Sequence, residues 1–191
     1  MNYFLENKYY EIKIIIERNN LIGLKEYIKT NRINLRYYNE TSKDILILAI
    51  LKGAYICLID FILKECQYES LNYKLGYIEC GYEVKINMYE YIPLYISIAK
   101  ENFELSDLLI KNNADINYNE GIIVKRLFSY GLLTNKKLNY MIKNGLEAKW
   151  LLDIFLYNDR VNDTLLNSIF NYTEINSYII NHTRISNDNI I

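Results

Sequence analysis

Apolar positions in the middle of the chain recur at helical spacing and are separated by short polar turns. The stretch from 92 to 118 reads IPLYISIAKENFELSDLLIKNNADINY. Leu94, Ile96 and Ile98 indicate a short first helix. Pro93 can begin it, because an N–H in the first turn of a helix has no intrahelical partner. The spacing that indicates a second helix is carried by Phe103, Leu105, Leu108, Leu109 and Ile110.

The polar residues of this stretch predict where its helices end. Lys100-Glu101-Asn102 separates the two apolar runs and predicts the turn between them. Asn112-Asn113 predicts the end of the second helix, because asparagine accepts the left-handed conformation found at many helix ends. We expect Ala114-Asp115-Ile116-Asn117 to follow as an extended connection.

Related pairs of apolar runs occur before and after this stretch. One ends in Arg32-Ile33-Asn34-Leu35, and another leads into Asn144-Gly145-Leu146. Taking one residue of each second helix as equivalent gives steps of 34, 47 and 32 between Tyr27, Phe61, Leu108 and Tyr140. A recurring period near 33 residues is typical of helical-repeat solenoids.

The most apolar segment of the chain, from 44 to 65, is interrupted by Lys52, Gly53 and Asp60. A membrane span needs about 20 nearly unbroken apolar residues. We therefore predict two short buried helices joined at Lys52-Gly53, and no membrane partner.

The stretch from 92 to 118 resembles an ankyrin repeat. Pro93-Leu94, Leu108-Leu109-Ile110 and Ala114-Asp115-Ile116-Asn117 match the pattern of that family in register. The departures from the pattern are Ile92, Tyr95, Glu101 and Asn113, the last two standing where the family has glycine. The resemblance implies an all-α, ankyrin-like solenoid of about four to five helix pairs. A TPR- or HEAT-like array is the alternative, and the extended exits of the repeats speak against it.

The step of 47 predicts an insertion at residues 71–91. Residues 77–79 and 82–86 read as two short strands around Cys80-Gly81. We expect an enlarged, β-hairpin-like finger between repeats two and three, with a disordered loop as the alternative.

The last forty residues fit the repeat less cleanly. Residues 150–158 and 161–172 predict one helix pair with a closing helix at 175–181; alternatively, the final two helices form the pair. We expect 150–191 to be a degenerate C-terminal repeat or cap, since the end repeats of a solenoid are atypical. Residues 1–191 then form a single repeat domain.

Candidate catalytic and metal-binding residues are sparse. His182 is the only histidine and has no nucleophile or orienting group near it in sequence. Cys57 and Cys66 lack the spacing of a zinc site, and the glycines form no phosphate-binding loop. We expect neither an enzyme nor a bound cofactor or metal.

Charge and cysteine content restrict the partners and the compartment. The 22 basic and 23 acidic residues balance to a net charge of -1, which disfavours nucleic acid. Three cysteines and the lack of a secretory pattern at the N-terminus favour the cytoplasm, with the nucleus or a host-cell cytoplasm as alternatives. We expect a monomer.

Tyrosine is unusually frequent, at 20 of 191 residues. Its large, rigid side chain is enriched at binding surfaces, although nucleotide bias also explains a chain rich in Ile, Asn, Lys and Tyr. Candidate partner-binding residues at predicted turns and in the finger are Tyr37, Tyr38, Tyr68, Tyr77, Tyr82, Tyr89 and Tyr118.

The resemblance implies a protein–protein interaction module that binds another protein through its concave face and finger loops. The alternative is an adaptor or host-directed effector whose C-terminal helices recruit cellular machinery. An enzyme or small-ligand protein that uses the insertion as a lid is less favoured, because no catalytic set is present.

Overall fold

The computed structural model describes residues 3–76, 78 and 91–156. This part of the chain is helical and contains no β-strand, which confirms the predicted all-α class. The hairpin predicted around Cys80-Gly81 and the helices predicted beyond Leu156 lie outside the described residues.

Nine α-helices and one short 3₁₀ helix, Leu35–Tyr38, make up the described part of the chain. The α-helices are α1 Tyr3–Glu17, α2 Leu21–Thr30, α3 Ile45–Lys52, α4 Ile56–Cys66, α5 Pro93–Ala99, α6 Phe103–Lys111, α7 Tyr118–Ser129, α8 Asn135–Lys143 and α9 Ala148–Leu156. Tyr27, Phe61, Leu108 and Tyr140 lie in α2, α4, α6 and α8, respectively. Packing divides the chain into two compact units, Met1–Asp115 and Ile116–Ile191.

In the first unit the helices form successive pairs, α1 with α2, α3 with α4 and α5 with α6. The first helices α1, α3 and α5 also contact one another in chain order, and so do the second helices α2, α4 and α6. Helix α3 is central, and Ile45 to Ile50 are all at most 2% exposed. Apolar residues cover every face of α3, and a helix of that composition is buried on every face.

The polar turns end the helices as the sequence predicts. Pro93 occupies the first turn of α5. Glu101, at φ 57°, and Asn113, at φ 67°, adopt the left-handed conformation at the two positions where the repeat pattern has glycine. Gly53 does the same at the end of α3. Asparagine and glycine tolerate this conformation well, whereas glutamate adopts it at a cost.

The C-terminal ends of the first helices are tied together by lysines. Lys52, at the end of α3, forms a 2.7 Å ion pair with Glu17 at the end of α1. Lys100, just after α5, donates to the carbonyls of Ile50 at 3.2 Å and Leu51 at 2.7 Å in the last turn of α3. The carbonyls in the last turn of an α-helix are left without i+4 partners in the helix, and a cation is favoured there. The partial burial of Lys100 lowers its pKa.

An asparagine side chain bridges two backbone groups in each unit. In the first, Asn72 donates to the Asn113 carbonyl at 3.3 Å and accepts the Asp115 N–H at 2.7 Å. In the second, Asn117 donates to the Gly145 carbonyl at 2.9 Å and accepts the Glu147 N–H at 2.8 Å. Both asparagines precede a tyrosine and follow an aliphatic residue, so the same contact recurs in the same sequence context.

In the second unit, α7 packs against α9. Helix α7 begins with a left-handed turn at Asn119, Glu120 and Gly121, and the right-handed helix follows. A Cβ at Gly121 would lie 2.5 Å from Cγ of Trp150 in α9. Glycine is required here both for its positive φ of 71° and for the close approach of the indole.

Candidate partner-binding surface

A buried carboxylate organises the region around the predicted turn tyrosines. Asp44 precedes α3 and has no solvent exposure. Its carboxylate accepts the N–H of Ile47 and the N–H of Glu40, each at 2.8 Å. Asp44 therefore caps α3 and also fixes the turn that precedes it.

Two tyrosines from the segment after α4 complete the hydrogen bonds of this carboxylate. The hydroxyls of Tyr68 and Tyr73 donate to Oδ2 of Asp44 at 3.1 and 3.2 Å. Their rings are stacked, with centroids 5.6 Å apart and an interplanar angle of 5°. The hydroxyl of Tyr68, which was predicted as a partner-binding residue, is thus hydrogen-bonded inside the protein.

Burial dominates the electrostatics of this cluster. It raises the pKa of Asp44 to about 6, although the four hydrogen bonds favour the ionised form and oppose the shift. Burial, together with the nearby Asp44 carboxylate, also raises the pKa of the Cys66 thiol, whose Sγ lies 3.9 Å from the Leu35 carbonyl. Such a thiol is a poor nucleophile. The cluster is therefore suited to holding residues 68–73 on the start of α3.

The remaining predicted tyrosines differ in their exposure. Tyr37 is 68% exposed, whereas its neighbour Tyr38 is 4% exposed and packs against Tyr9 with ring centroids 5.8 Å apart. Tyr118 is half-buried at the start of α7. Tyr77, Tyr82 and Tyr89 lie outside the described residues.

Several exposed apolar side chains of the first unit were not predicted. Ile22 near the start of α2 is 71% exposed, and Tyr55, which precedes α4, is 66% exposed. The Tyr55 N–H donates to Oδ1 of Asn19 at 2.6 Å, which ties the start of α4 to the turn before α2. Tyr10 and Ile14 are exposed one helical turn apart on α1. Helical spacing puts Tyr9, Ile12 and Ile16 on the buried face of α1, and Tyr10 and Ile14 lie on a different face of the same helix.

An open groove lies along α2 and α4, with a volume of about 380 Å³. It is lined by Lys25, Ile28, Lys29, Ile33, Phe61 and Glu65. The Nζ of Lys25 lies 5.2 Å from the centroid of the Phe61 ring, a cation–π contact. The groove is thus lined by both apolar and charged side chains.

Metal-binding clusters of three or more His, Cys, Asp or Glu side chains are absent from residues 3–76 and 91–156. Among these same residues, every helix is too short or too polar to cross a membrane. Comparison with protein-family models, with curated proteins and with solved structures gives no match.

Proposed function

We propose that this chain is a protein–protein interaction module with a divergent, ankyrin-like solenoid fold. The supporting observation for the fold is the packing of the first unit, where first helices contact first helices and second helices contact second helices. The left-handed residues Glu101 and Asn113 at the glycine positions of the repeat agree with this assignment. So does the bridging asparagine that recurs as Asn72 and Asn117.

The observation that carries the binding role is the exposure of large apolar side chains on a well-packed frame. Tyr37 projects from the 3₁₀ helix that follows α2, while adjacent Tyr38 anchors that helix in the core. Rigid aromatic side chains offer large contact areas at low entropic cost. A partner protein that covers Tyr37 would remove this apolar area from water, which favours association.

Affinity capture combined with chemical cross-linking tests this role. The full chain is compared with Tyr37→Ala and with a variant in which residues 76–90 are replaced by Asn-Gly. This replacement fits because the N–H and carbonyl of Leu75 already pair with those of Tyr91, and a two-residue turn can join such a pair.

We expect the captured partner to be lost or weakened in one or both variants. Tyr130→Ala, which changes a less exposed tyrosine of the second unit, is the matched control and keeps the partner. Equal capture by the wild type and both variants would contradict the proposed surface.

A further inference from the structure

The groove along α2 and α4 offers both apolar and charged side chains to a ligand. Ile28 and Ile33 from the α2 side and Phe61 from α4 supply its apolar part. Lys25 and Lys29 are one helical turn apart on α2 and form one wall. Glu65 stands on the α4 side, one turn after Phe61.

The charges around this groove are not balanced locally. Between residues 25 and 37, the exposed basic side chains are Lys25, Lys29, Arg32 and Arg36, and the acidic ones facing them are Glu26 in the same segment and Glu65 on the α4 wall. None of the four cations forms an ion pair with another described residue. The whole chain is nearly neutral, so this excess is a local feature. It favours a partner that supplies carboxylates.

We propose that the groove binds an acidic amphipathic segment of a partner protein, an inference that rests on the proposed interaction function. An apolar side chain of the segment lies on Ile28, Ile33 and Phe61, and its carboxylates pair with Lys25 and Lys29. Amphipathic helices dock in apolar grooves in this way. A nucleic acid fits less well, because only two cations, Lys25 and Lys29, line the groove and Phe61 is the one ring there on which a base could stack.

Random-peptide phage display against the full chain tests the proposal. We expect enriched peptides to carry Asp or Glu beside Leu, Ile or Phe. Fluorescence anisotropy of the labelled peptides should show an affinity loss of about tenfold or more for Lys25→Glu/Lys29→Glu. The variant Lys25→Arg/Lys29→Arg, which keeps both positive charges, is expected to bind the peptides about as tightly as the wild type does. Two controls change exposed lysines away from the groove. Lys111→Glu reverses one charge, and Lys111→Glu/Lys143→Glu changes the net charge as much as the groove variant does; both should keep the affinity.

Other outcomes separate the failure of this site from the failure of the module. Enriched peptides that lose affinity with Tyr37→Ala but keep it with Lys25→Glu/Lys29→Glu would overturn the groove and support the interaction function. Enriched peptides without acidic residues would overturn the proposed chemistry. Tight binding of a single-stranded oligothymidylate that needs Lys25 and Lys29 would assign the surface to nucleic acid instead. A selection that enriches no peptide would count against both proposals.

Discussion

The hydroxyl of Tyr73 donates to the Asp44 carboxylate at 3.2 Å, across 29 positions of sequence. The contact joins the cap of α3 to the segment that leads from α4 towards α5. Because Asp44 is fully buried, its charge state is linked to the stability of the fold.

The first prediction concerns the pH dependence of this linkage. Burial raises the pKa of Asp44 from its ordinary 3.8 to about 6, so the folded state binds the proton more tightly than the unfolded state. The stabilisation from this proton is complete below the ordinary pKa and is lost as pH rises through the folded pKa. It amounts to about 3 kcal/mol, since one pKa unit corresponds to about 1.36 kcal/mol.

Urea denaturation from pH 3.5 to pH 7, followed by circular dichroism, measures this effect. The free energy of unfolding of the wild type should fall relative to that of Asp44→Asn as pH rises. Tyr73→Phe removes a hydrogen bond that lowers the pKa of Asp44, and we expect it to extend the fall to higher pH. A constant difference between Asp44→Asn and the wild type would refute the linkage.

The second prediction concerns the bridging asparagine of the first unit. Asn72→Ala leaves the Asn113 carbonyl and the Asp115 N–H without their shared partner. We expect a loss of about 0.5–1.5 kcal/mol in the free energy of unfolding, because both bonds are exposed to solvent. Asn112→Ala removes only a local bond to the Leu108 carbonyl in the same helix and should cost less. An equal loss in the free energy of unfolding for the two variants would show that the bridge stabilises the fold no more than a local hydrogen bond does.

The third prediction separates the two requirements for glycine at position 121. Gly121→Ala and Gly131→Ala both place a Cβ at positive φ, but only the first brings it against Trp150. The left-handed conformation costs roughly 1–2 kcal/mol, and forced overpacking adds about 1–3 kcal/mol. Urea unfolding followed by the fluorescence of Trp150, the only tryptophan, should therefore show the larger loss for Gly121→Ala. A larger loss for Gly131→Ala would be inconsistent with the close approach.

The fourth prediction concerns thiol reactivity. Cys57 is exposed, whereas Cys66 is buried and burial raises the pKa of its thiol, so of these two cysteines Cys57 is the accessible one. In a Cys80→Ser background, a chromogenic disulfide reagent should label one thiol rapidly and the second only after urea is added. The further change Cys57→Ser should remove the fast phase. A fast phase that survives this change would place Cys66 within reach of solvent.

The helices that the sequence predicted are those whose ends are marked by distinctive residues. Pro93, Gly53 and Asn113 each stand where the backbone needs their conformation, so local chemistry was enough to place α3 to α6. No bounds were predicted for α1, because its apolar residues, which include exposed Tyr10 and Ile14, lie on more than one face. No bounds were predicted for α7 either, because the left-handed turn at Asn119 interrupts its helical spacing of apolar residues.

The candidate site was predicted less well, because exposure depends on tertiary packing. Tyr37 and Tyr38 are adjacent and chemically identical, yet one is exposed and the other lies in the core. The hydroxyl of Tyr68 reaches Asp44 across 24 positions, a contact that no local pattern indicates. The groove draws its walls from α2 and α4, so it exists only after these helices pack.

The paired backbone of Leu75 and Tyr91, with hydrogen bonds of 3.0 and 2.6 Å, has a consequence for engineering. The two ends of the intervening segment are held together by residues outside it, and the entropic cost of lengthening a closed loop grows only slowly. The helical frame is therefore a suitable host for grafted sequences at this point. A foreign epitope or a fluorescent reporter can be displayed there while α3 to α6 keep their contacts.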